Sequence, residues 1–163
     1  MLFHYYNLLF ISILVHLKIK KVAKKKVHKL AFEFESDFNL IGIASHENDY
    51  RLSWAINKSL NFGLTKCDNL KINHPKHKIE LSYSMYDFSD SNNYLNYQLI
   101  SNKSEQGFLL PEFKNIDFFL RVSGHSDLNH INELLMQIKK IDIVITAFTI
   151  DDLSEKQKKL FAF

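Results

Sequence analysis

The sequence predicts an α+β fold: a two-layer domain with a mainly antiparallel sheet of about six strands and two main helices on one face. Three observations carry this. Several segments alternate apolar and polar residues at period two, as in Ile116, Phe118, Leu120 and Val122. Two segments keep a helical period instead, Leu52–Ile56–Leu60 and Leu128–Ile131–Leu134–Leu135–Ile138–Ile141. Polar runs between the strands supply the turns that fold successive strands back antiparallel. With 163 residues, a hydrophobic fraction of 46%, 14 Phe and 7 Tyr, the chain has the apolar content of one folded domain rather than of a disordered segment.

The chain divides into an N-terminal extension, residues 1–28, and a single α+β domain, residues 29–163. Met1 to Leu17 is apolar and aromatic but broken by His4, Asn7, Ser12 and His16. It falls short of the ~20 apolar residues a spanning helix needs, and it lacks the basic start and cleavage site of a secretory signal. Residues 1–29 hold seven lysines and no acid, leaving 14 basic against 18 acidic groups in the rest, a net of −4. Three readings stand for the extension: an inner-membrane tether through residues 2–17 with lysines on the cytoplasmic side, an interfacial segment, or upstream sequence translated in error. The expectation is a native start near Val22, with residues 1–21 packing against nothing in the domain.

Within the domain, Leu30, Phe32 and Phe34 alternate with Ala31, Glu33 and Glu35, a strand with one wet face; Leu40 to Ala44 is almost continuously apolar and suits a central strand. A helix follows, capped by Asn48 or Asp49 and ended by Asn61-Phe62-Gly63. Leu64 to Lys78 is an irregular connection with a short strand near Leu70–Ile72, and His74-Pro75-Lys76-His77 is a turn. Ile79, Leu81, Tyr83 and Met85 predict a long strand, turned by Asp87–Asn93 into a second one over Tyr94–Ser101. Asn102 to Gly107 reverses the chain, and Pro111 fixes the geometry around Glu112. A strand then starts near Ile116, with Asp117, Phe119 and Arg121 on its outer face. The second helix, capped by Ser126 or Asp127, leads to a buried strand over Ile143–Ile150; strand, helix and strand in that order predict a parallel or interleaved pair. Ser154 and Gln157 make a capping box for a short terminal helix.

Leu110-Pro111-Glu112 followed by Asp117-Phe118 resembles the signature of the bacterial family labelled IPExxxDY, and the similarity extends over roughly Lys25 to Phe161. Leu110 stands for Ile, Phe118 for Tyr, and four residues separate Glu112 from Asp117 where the label writes three. The resemblance implies a housekeeping role and no particular chemistry.

Enzyme motifs are absent from the sequence. Four glycines, Gly42, Gly63, Gly107 and Gly124, cannot form a dinucleotide fingerprint or a phosphate loop, and there is no HExxH, GxSxG or cysteine pair. The single Cys67 excludes an internal disulfide, fits a reducing compartment and is expected to be buried and inert. No metal site and no cofactor are expected: Pro75 separates His74 from His77, and His125 and His130 have no carboxylate motif beside them. A polar constellation at strand ends and turns remains, with His46, Asp49, Arg51, Asn102, Glu105, Glu112 and Asp117. Arg51, Trp54, Asn102, Glu105, Glu112 and Asp117 are the candidate binding residues. Trp54 lies off the helix stripe, as a margin packing residue or an exposed ligand platform. Glu112 and Asp117 are expected to serve structure first, accepting backbone N–H bonds or pairing with Arg51 or Arg121.

Three function classes follow. The first is a cytoplasmic binding or adaptor protein with a protein partner. The second is an RNA- or ribosome-associated module acting through the lysine tail, since the basic residues form a tail and not a folded patch. The third is a small enzyme using Glu112, Asp117 and His46 for acid–base work.

Overall fold

The computed structural model describes residues 38–73 and 79–163. The expected strand Leu30–Phe34, the N-terminal extension and the turn at His74–His77 lie outside them. In chain order the elements begin with β1 (Phe38–Ala44), α1 (Asp49–Leu60), β2 (Thr65–Lys66), β3 (Leu70–Asn73), β4 (Glu80–Tyr83) and β5 (Met85–Asp90). They continue with β6 (Leu95–Ser101), β7 (Lys103–Ser104), β8 (Gly107–Phe108), a 3-10 turn at Pro111–Phe113, and β9 (Phe118–Gly124). The chain closes with α2 (Leu128–Ile138), β10 (Thr146–Thr149), α3 (Glu155–Lys158) and a 3-10 turn at Lys159–Phe161.

The fold is α+β. Six strands form the main sheet in the order β10-β1-β9-β6-β5-β2, and neighbours are antiparallel throughout. Because β9 and β10 both oppose β1, they run parallel to each other with β1 between them. The strand–helix–strand unit is therefore the interleaved one.

Local chemistry sets the helix ends. Asn48 Oδ1 accepts the Arg51 N–H at 2.9 Å to start α1, and Asn61, left-handed at φ 54°, ends it. Asp127 Oδ1 accepts the His130 N–H at 2.8 Å to start α2. The Ser154–Gln157 capping box forms at α3.

Both main helices cover one face. Leu52 and Ile56 of α1 and Ile131, Leu134 and Ile138 of α2 pack with Ile41, Ile43, Leu99, Phe118, Leu120 and Val122 in one apolar cluster. The opposite face is also buried in part, by a second cluster of Leu40, Leu81, Tyr83, Ile100, Leu110, Ile116, Phe119, Ile150 and Phe161. This corrects two expectations. β9 starts at Phe118, so Ile116 joins the second cluster instead of sharing a face with Phe118. Phe119 and Arg121, expected on a wet face, are 0% and 5% exposed. The long strand expected over Ile79–Tyr86 is likewise broken at Ser84: β4 leaves the main sheet to pair with β3, which places Leu81 and Tyr83 over the second face.

Candidate functional site

Two members of the polar constellation, Asn102 and Asp117, meet in one knot around Asn102, whose side chain is wholly buried. Its amide nitrogen donates to the carbonyls of Phe113 at 2.9 Å and Ile116 at 2.8 Å, and its oxygen accepts the Leu110 N–H at 2.9 Å. Its backbone N–H donates to the Asp117 carbonyl and its carbonyl accepts the Leu109 N–H, each at 2.8 Å. One asparagine thus replaces strand pairing for the Leu109–Asp117 connection, which would otherwise bury unpaired backbone groups.

Asp117 extends this knot to β1. Its Oδ2 accepts the N–H of Ser45 at 2.9 Å, its Oδ1 pairs with the Lys103 ammonium, and its own N–H donates to Ile43 O at 3.0 Å. The cation beside it is Lys103, where the sequence suggested Arg51 or Arg121. Arg51 instead pairs with Glu47 at 3.4 Å on the surface of α1, and Arg121 has no carboxylate partner among the described residues.

The other polar candidates are dispersed. His46 is exposed on the turn after β1, Glu105 on the β7–β8 turn, and Asp49 at the start of α1, half-buried. Glu112 is exposed at the rim of a half-open cavity of about 310 Å³, floored by Leu81, Tyr83, Leu110 and Leu160. No group of three His, Cys, Asp or Glu side chains is placed to hold a metal among the described residues. Cys67 is half-buried, and burial, aided by Asp87, pushes its thiol up to about 11.

Trp54, the chain's one tryptophan, is the candidate that stands out at the surface. It is 54% exposed on α1, with Tyr50 one turn earlier at 69% and Lys58 one turn later, its Nζ 5.1 Å from the indole centroid. The cause is the stripe itself: Leu52 and Ile56 face the sheet, which turns positions 50, 54 and 58 outward. Shallow grooves run along both sides of the indole. One, of about 410 Å³, lies between α1 and the sheet edge and is lined by Tyr50, Ser53, Leu64, Lys66 and Tyr86. The other, of about 340 Å³, is lined by Ala55, Lys58, Lys140, Asp142 and Ile143.

A small α+β domain with its one tryptophan presented between two grooves is what fold and site define. No protein-family model matches the chain, and neither does any curated protein. Among the described residues no helix is long and apolar enough to cross a membrane.

Proposed function

We propose that this chain is a non-catalytic binding protein that engages a protein partner through the exposed face of α1. The observation that supports it is Trp54, held 54% exposed between two grooves with Tyr50 beside it. Tryptophan and tyrosine carry a disproportionate share of binding energy because they bury a large rigid surface at low entropic cost. An acid–base enzyme is less well supported, because Asp117 is engaged by Ser45 and Lys103. A cytoplasmic setting, and kinship with the IPExxxDY family, belong to the same proposal; the lone cysteine and the Leu110-Pro111-Glu112 signature support them.

The test is Trp54→Ala, alone and with Tyr50→Ala. Partner capture from the protein's own cells should weaken by about 2 kcal/mol for the single variant, the size of a binding hot spot. Thermal stability should stay near wild type, and capture should survive removal of residues 1–28. Capture that persists in the double variant, or that depends on the lysine tail, would count against this reading.

A further inference from the structure

Arg121 lies in the middle of the sheet, on the face opposite the helices. Its neighbours in register are Leu40 on β1 and Gln98 on β6. It is 5% exposed, and no acid among the described residues pairs with it. One terminal nitrogen, Nη1, donates to Gln98 Oε1 at 2.6 Å and to Ser123 Oγ at 3.0 Å. The aromatic rings of Phe38 and Phe163 flank the guanidinium, 5.1 and 5.4 Å from its carbon. Nε is buried without a hydrogen-bond partner among the described residues.

That arrangement is costly as it stands. A buried cation loses several kcal/mol of hydration, and two neutral acceptors and two ring faces return only part of it. Burial accordingly lowers the affinity of the guanidinium for its proton. A neutral side chain of similar volume would avoid the cost, so the charge calls for a counter-ion.

We propose that Arg121 anchors a carboxylate-binding site on this face of the sheet, with the ligand's two oxygens on the Nε–Nη2 edge. Three features select a carboxylate. Nη1 is committed to Gln98 and Ser123, and no described residue bonds the Nε–Nη2 edge, which can receive a planar carboxylate with two parallel N–H bonds. The Phe38 ring, which stays in place, suits an acid with a flat apolar body. A single cation balances one negative charge, whereas a phosphate would bring more than one. Phe163, half exposed, covers the guanidinium, and its ring moves aside when the ligand enters.

The probe is benzoate, titrated into the full-length protein while NMR follows the Arg121 Nε–H resonance and the Gln98 backbone amide. A saturable shift of both is expected, absent with chloride at equal ionic strength. Phe163→Ala should bind benzoate at least about fivefold more tightly, since no ring has to be displaced. Arg121→Lys keeps a cation but loses the fork, and should bind at least about tenfold more weakly by the Gln98 reporter. Shifts that stay linear and unsaturated in both wild type and Phe163→Ala would overturn the site. A response to inorganic phosphate equal to that for benzoate would overturn the carboxylate assignment. If Glu35→Gln or Asp37→Asn moves the Nε–H resonance without ligand, the counter-ion is the chain's own and the proposal fails.

Discussion

Asn102 satisfies five backbone or side-chain hydrogen bonds in a place with no access to water. Asn102→Ala therefore strands the Leu110 N–H and the Ile116 carbonyl, while the Phe113 carbonyl keeps the Ile116 N–H. At about 1–3 kcal/mol for each buried unpaired group, urea denaturation should show a loss of about 3 kcal/mol or more. An unchanged midpoint would mean that the connection holds without its asparagine. Asp117 separates two effects. Asp117→Asn retains an acceptor for Ser45 and gives up only a partly exposed pairing with Lys103, so about 1 kcal/mol or less should be lost. Asp117→Ala also strands the N–H of Ser45, a residue 2% exposed, and should cost about 1–3 kcal/mol more by the same measurement. At Cys67 the raised thiol remains protonated at neutral pH, so alkylation followed by mass spectrometry should be slow at pH 7 and accelerate as pH approaches 11.

At the scale of elements, β9 hands over to α2 at Gly124, whose φ of +110° few other residues adopt. A Cβ there would stand 2.3 Å from the Tyr94 carbonyl oxygen, in the turn between β5 and β6. Gly124→Ala should cost at least about 1–3 kcal/mol through backbone strain alone. Asp127→Ala removes only the cap of the following helix, at about 1 kcal/mol. Thermal denaturation of the two variants should preserve that order; equal losses would show that the turn relaxes around the new methyl group. The caps were legible in the sequence to within one residue, as Asn48 or Asp49, Ser126 or Asp127, and Ser154, because a cap acts on backbone N–H groups only a few residues away. The break at Ser84 was not. Alternation of Leu81, Tyr83 and Met85 is equally compatible with one strand and with two that part company, and only pairing with β3 separates them.

For the whole molecule, the displaced titrations fall mainly on the alkaline side. Burial raises Cys67, and likewise Tyr83, Tyr86 and Tyr97 above the usual phenol range. The unfolded chain gives up these protons at lower pH than the folded one, so their contribution is intact below pH ~9 and is lost as pH rises towards the folded values. Urea midpoints should decline from about pH 9 upward, where the unfolded thiol begins to ionise, and Cys67→Ser should flatten the first part of that decline. By itself the sequence determined the α+β class, the helix stripes, the caps to within a residue and the place of Trp54 off the α1 stripe, all consequences of periodicity or of contacts a few residues apart. That Asp87–Asp90, read as a turn, belong to β5 and that Trp54 is exposed came from the tertiary structure. Only the tertiary structure decided that Asn102 is a buried knot and that Arg121 is a buried cation. Alternation along β9 marks Arg121 as facing away from the helices, and a strand cannot specify whether that side meets water. Here Leu110, Ile150 and Phe161, from three separate parts of the chain, bury part of that side, while the rings of Phe38 and Phe163 flank the guanidinium.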